Sequence, residues 1–115
     1  MFVLLEYASG GGLQKNLRIN RCFSQYKSTF AIAQIYSAIS HLHSRKILYR
    51  DIKPENIVID ERGYLKLVDF GLSKVIGSGR TSTICGTPDY FAPEVVRGEK
   101  YGFGVDYWAL GVLFY

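Results

Sequence analysis

The chain is 115 residues long, room for one small domain, and its 14 Lys and Arg outnumber 10 Asp and Glu to give a net charge of +4. The basic residues are scattered and form no strip interleaved with aromatics, which excludes a nucleic-acid-binding face, and the longest apolar runs fall short of the roughly 18 residues that span a bilayer. Cys22 and Cys85 have neither metal-ligand spacing nor a disulfide framework, so the expected compartment is the reducing cytoplasm.

In chain order, Val3-Leu4-Leu5 predicts a short buried strand, closed by Gly10-Gly11-Gly12. That run lacks the G-x-G-x-x-G spacing and reads as a linker rather than a phosphate cradle. Leu13 to Leu17 predicts a short helix. Ser24 can cap a long helix from about Gln25 to His43, in which Phe30, Ala33, Ile35, Ala38, Ile39 and Leu42 recur at helical spacing as one apolar face. His41 and His43 are expected as a helix-end and packing pair, since histidine there suits the helix dipole and no matching nucleophile follows.

Ile57-Val58-Ile59 and Tyr64 to Val68 flank Asp60-Glu61-Arg62-Gly63, which predicts a hairpin with Asn56 and Asp69 together at its outer ends. Gly77 to Thr83 is rich in glycine, serine and threonine and reads as a mobile loop. Beyond Ala92-Pro93-Glu94 a short helix, a loop over Tyr101 to Gly104 and a buried helix from Val105 are expected. Asp106 stands at the start of that last helix, where its carboxylate can accept backbone N–H groups.

The chemistry concentrates in Tyr49-Arg50-Asp51-Ile52-Lys53-Pro54-Glu55-Asn56 and, further on, Asp69-Phe70-Gly71. Each residue alone is an ordinary loop or turn residue; together they match the spacing that phosphoryl transfer needs. That reaction asks a protein for alignment and charge neutralisation more than for covalent chemistry. Asp51 would accept the proton of an attacking hydroxyl, and Lys53 would set its ammonium beside the transferring phosphoryl group. Asn56 and Asp69 offer the hard oxygen ligands that Mg2+ prefers.

With these motifs the whole chain resembles a eukaryotic serine/threonine protein kinase. Tyr49, where most kinases carry histidine, and Cys85-Gly86-Thr87-Pro88-Asp89-Tyr90 with Phe91-Ala92-Pro93-Glu94 resemble the AGC group. Gly63 to Gly71 and Val105 to Gly111 look most like the cyclic-nucleotide-dependent kinases, the cGMP-dependent branch slightly more than the cAMP-dependent one. The resemblance implies an α+β protein-kinase-like fold, running from the hinge through most of the helical C-terminal lobe. A kinase fold needs about twice this length, so residues 1–115 are expected to be a partial catalytic domain, inactive by itself, that stops mid-helix at Leu113-Phe114-Tyr115.

The resemblance also implies roles. Met1 to Tyr7 would be the strand entering the hinge, with Leu5 as gatekeeper, the backbone at Glu6 and Ala8 facing the adenine of ATP, and Leu13 and Val58 packing on its ring. Thr87 would bridge Asp51 and Lys53, and Asp106 would brace the catalytic loop. Thr83 matches the activation-loop phosphosite, where a phosphate could pair with Arg50 and Lys74. Glu55 matches a carboxylate that recognises an arginine N-terminal to the phosphorylated residue, so the implied partners are protein substrates with Ser or Thr in basic motifs. Gly12 stands where the family carries a glutamate, which should weaken that basic selection and nucleotide affinity. The subfamily further implies a cyclic-nucleotide regulatory domain outside this chain. The competing reading is a non-catalytic kinase lobe serving as a binding or scaffold module; a small-molecule phosphotransferase is disfavoured by the well-formed segment from Cys85 to Glu94.

Overall fold

The computed structural model describes residues 2–21, 23–77 and 79–115, so the expectations that fall on Met1, Cys22 and Ser78 lie outside the described residues. Helices α1 (Leu13–Asn20), α2 (Gln25–Ser44), α3 (Pro93–Val96) and α4 (Gly104–Phe114) alternate with strands β1 (Gly11–Gly12), β2 (Ile47–Leu48), β3 (Ile57–Ile59), β4 (Leu65–Leu67) and β5 (Lys74–Val75). The strands form two antiparallel sheets, β1-β3-β4 and β2-β5, and the fold is α+β as expected.

Helix α2 is the backbone of the lobe. Ser24 caps it, accepting a bond from the Lys27 amide at 3.5 Å, and its inner stripe is Ile32, Ile35, Ile39 and Leu42. The predicted face is corrected at two positions: Phe30 is half exposed and Ala33 is exposed. Successive residues turn by about 100°, so Ala33 lies about 200° from Ile35 and cannot share its stripe. Leu13, Tyr49, Ile52, Ile57 and Leu110 complete this core, and a second cluster joins Leu48, Ala92, Val95, Tyr101 and Val105.

The β3–β4 hairpin pairs Ile57 with Leu67 and Ile59 with Leu65. Its turn is held by the Asp60 carboxylate, which accepts the Arg62 and Tyr64 amides at 2.9 Å each, while Gly63 supplies the left-handed φ of 84° that the chain needs to return.

Two N-terminal expectations change. Val3-Leu4-Leu5 takes no regular secondary structure and pairs with no strand among the described residues, and Leu4 and Leu5 are 99% and 80% exposed. An apolar run becomes a buried strand only when a neighbour satisfies its backbone and covers its face. The glycine run is more than a linker: Gly11 and Gly12 pair with Ile59 and Val58, and the Gly10 amide donates to the Ile59 carbonyl at 2.9 Å. A Cβ at Gly10 would stand 2.7 Å from that carbonyl oxygen, so no side chain fits there.

Candidate active site

The site hangs on Asp106. Helix α4 starts one residue earlier than expected, and Asp106, 1% exposed in its first turn, does not cap its own helix. Its carboxylate instead crosses to the loop after β2, where Oδ2 accepts the Tyr49 amide at 2.9 Å and Oδ1 the Arg50 amide at 2.8 Å. His43 Nε2 lies 2.7 Å from the same Oδ2, with its ring between Phe103 and Tyr107. His43 is thus the packing residue expected, with an added hold on Asp106; His41 is exposed and pairs with Arg45. These bonds fix Arg50 at a φ of 73°, which costs a non-glycine residue on the order of 1–3 kcal/mol and therefore needs such restraint.

Asp51 follows directly and is 8% exposed. Its Oδ1 accepts the Thr87 hydroxyl at 2.9 Å, and its Oδ2 accepts Asn56 Nδ2 at 2.8 Å and faces Lys53 Nζ at 3.0 Å. Lys53 Nζ also donates to Thr87 Oγ1 at 2.9 Å, so Thr87 bridges the aspartate and the lysine. Burial pushes the Asp51 carboxyl up, but the hydrogen bonds from Lys53, Thr87 and Asn56, with the Lys53 charge, overcome it and hold the group below the usual carboxylate range. It is therefore ionised at neutral pH. Thr87 is kept in place by Gly86, whose φ is 106° and whose Cβ, were there one, would lie 2.5 Å from the Arg50 carbonyl oxygen.

Asn56 ends a 3-10 turn begun by Pro54 and is buried. Its amide nitrogen serves both the Asp51 carboxylate and the Asp51 carbonyl at 2.9 Å, which leaves the side-chain oxygen for another partner. The Val68 amide bonds the Asn56 carbonyl at 2.9 Å, so the open end of the hairpin brings Asn56 and Asp69 together. Asp69 is exposed at a φ of 59°, and its Oδ1 accepts the Gly71 amide at 3.0 Å. Tyr49 ties this end to the loop: its hydroxyl donates to the Val68 carbonyl and its ring meets Phe70 edge-on at 5.4 Å. Burial, with the charges of Asp51 and Asp69, pushes its phenol up and keeps it a neutral donor.

Two hard oxygen donors on one hairpin end suit a cation that keeps waters and phosphate oxygens.

The residues expected at adenine separate. Val58 is half-buried in β3, opposite Lys66. Glu6 is exposed and pairs with Lys66, while the half-buried Ala8 accepts the Gly11 amide at 3.1 Å. Leu13 is corrected: at 3% exposed it is a core residue packed with Ile35 and Ile57, because it opens α1 on the inward face.

Thr83 is exposed and its carbonyl accepts the Tyr101 hydroxyl. Lys74 Nζ is not on Thr83; it donates to Thr81 Oγ1 at 3.0 Å, and that hydroxyl lies 3.4 Å from Thr83 Oγ1. The sequence reading missed Thr81, which is 5% exposed and bridged to Tyr101 through both backbone bonds. Arg50 donates its Nε to the Leu72 carbonyl at 2.6 Å and keeps a buried Nη1 without a hydrogen-bond partner among the described residues. Glu55 is exposed and accepts Gln14 Nε2 at 2.7 Å.

A protein-family comparison matches residues 1–115 to the protein kinase domain. The chain is 49% identical over 116 residues to cGMP-dependent protein kinase 2 from Homo sapiens, and 44% identical over 117 residues to protein kinase C delta type from Mus musculus. It is also 46% identical over 117 residues to protein kinase C zeta type from Oryctolagus cuniculus. Each match covers 100% of this chain but only 15%, 17% and 20% of the respective relative. No helix among the described residues is long and apolar enough to cross a membrane.

Proposed function

The chain belongs to the protein kinase family over its whole length, and on that premise we propose that it is part of the catalytic domain of a cytoplasmic serine/threonine kinase of the AGC group. Its reaction moves the γ-phosphoryl group of ATP to a protein Ser or Thr hydroxyl. The observation that carries this reading is the Asp51-Lys53-Thr87 constellation.

Asp51 orients the substrate hydroxyl and takes its proton late in transfer, a role suited to a carboxylate that its neighbours keep ionised. Lys53 places positive charge where the transferring group's negative charge spreads, and Thr87 fixes the spacing of the two. Asn56 Oδ1 and the Asp69 carboxylate would hold Mg2+, which when bound neutralises phosphate charge. Val58, with the backbone at Glu6 and Ala8, would face the adenine, and Leu13 would support that floor from within the core. Glu55 would meet a basic residue of the substrate.

Thr83 is the proposed regulatory phosphosite. A phosphate there is offered the unpartnered Arg50 Nη1 and the Lys74 ammonium, which already stands one hydroxyl away on Thr81.

The 115-residue sequence holds no G-x-G-x-x-G loop, so the polypeptide of residues 1–115 is expected to show negligible turnover. The full-length protein given labelled MgATP and Ser, Thr and Tyr peptides is expected to yield phosphoserine and phosphothreonine. Labelled phosphotyrosine as the main product, or brisk turnover by the isolated 115 residues, would contradict the proposal.

A further inference from the structure

Beside the catalytic loop lies an anionic edge whose chemistry is set by residues 41 positions apart. Glu55 sits two residues after Lys53 with an exposed carboxylate, and Asp89 is exposed just beyond Thr87. Between them stands Tyr90, whose phenol is pushed up by burial and then by the charges of Glu55 and Asp89. Glu55 is not free: Gln14, on the first turn of α1, donates Nε2 to its Oε1 at 2.7 Å. Two residues earlier the floor is bare, since a Cβ built on Gly12 meets nothing within 4 Å.

We propose that Gln14 is a specificity-determining residue for the peptide substrate, acting by occupying one oxygen of Glu55 so that the subsite takes a single basic side chain with modest selectivity. This deepens the kinase reading above and rests on it. A substrate guanidinium arriving at Glu55 seeks a bidentate grip on both carboxylate oxygens, and Gln14 already holds one. The amide also lends a partial positive charge in the place where the substrate's cation must sit. Gly12 adds no second carboxylate to offset this. A charge at position 14 therefore tunes the subsite in either direction, which a purely structural contact between α1 and the loop would not do.

The test uses the full-length protein and a set of serine peptides carrying one Arg at each position in turn, with an all-alanine parent. The readout is the ratio of kcat/KM for the best Arg peptide to that for the parent. The wild-type ratio is expected below about 10, in keeping with a solvent-exposed charge pair. Gln14→Glu is expected to raise it about 5-fold, and Gln14→Lys, which delivers a cation in cis, to bring it to about 1. The change should appear in KM for the Arg peptide more than in kcat. Equal ratios in the wild type and both variants would overturn the role of Gln14 while leaving the kinase reading intact. Absence of transfer to every peptide by the wild-type protein would overturn both. Because the two variants shift the ratio in opposite directions, either one that folds decides the matter.

Discussion

Asp69→Ala in the full-length protein is expected to lower kcat by roughly 10³-fold or more while leaving the fold in place. On the proposed reading the loss follows from removing one of the two oxygen ligands that would hold Mg2+ at the open end of the hairpin, where Asn56 would supply the other. The fold survives because the link between this end and the catalytic loop runs through the Val68 carbonyl and the Tyr49 hydroxyl, not through the Asp69 side chain. Asp69 also holds a φ of 59°, a region that Asp tolerates better than Ala, so the substitution should cost about 1 kcal/mol of stability. Asp69→Asn, which keeps the tolerance for that φ, is the companion variant. Turnover and thermal melting measured on both variants separate ligand loss from backbone strain. Wild-type-like turnover by Asp69→Ala would refute the assignment.

Asp106→Ala is expected to damage both stability and catalysis. The carboxylate is 1% exposed and accepts the Tyr49 and Arg50 amides together with His43. Its removal leaves two backbone donors without partners, at roughly 1–3 kcal/mol each. It also releases Arg50 from its left-handed conformation, so Asp51, the next residue, drifts from its position against Thr87 and Lys53. A misplacement of about 1 Å at the reacting centre costs on the order of 100-fold in rate. The expected signature is a lowered melting temperature with kcat reduced more than KM is raised. Unchanged kcat in a folded variant would mean that Asp106 does not position the loop.

These contrasts show why some of the site was legible in the sequence. Asp51, Lys53 and Asn56 lie within six consecutive residues, so their convergence is nearly forced by a single loop and one short turn. The hairpin was readable for the same reason: Asp60 and Gly63 carry the turn chemistry locally, and two short apolar runs flank them. Helix α2 announced its start through Ser24. Its buried stripe was read less well, because Phe30 is as apolar as Ile32 and only the neighbours in space decide which is covered.

What escaped was mostly tertiary. The pair of His43 with Asp106 spans 63 residues, and the pair of Gln14 with Glu55 spans 41. Neither leaves a periodic trace. Leu13 looked like a ring contact but is committed to the core, since its place at the head of α1 turns it inward. Val3-Leu4-Leu5 had the composition of a strand without a partner to pair with among the described residues. In the loop after β5, Thr81, which the sequence did not single out, holds Lys74 and is bridged to Tyr101.

The most direct test of the account is single-turnover transfer of labelled γ-phosphate from MgATP to a serine peptide by the full-length protein, wild type against Asp51→Asn. The variant keeps the size of Asp51 but loses the proposed base, so transfer is expected to slow by about 10²- to 10⁴-fold with nucleotide binding retained. Equal rates in the two proteins, or no transfer by the wild type, would contradict the assignment of Asp51 as the group on which the chemistry turns.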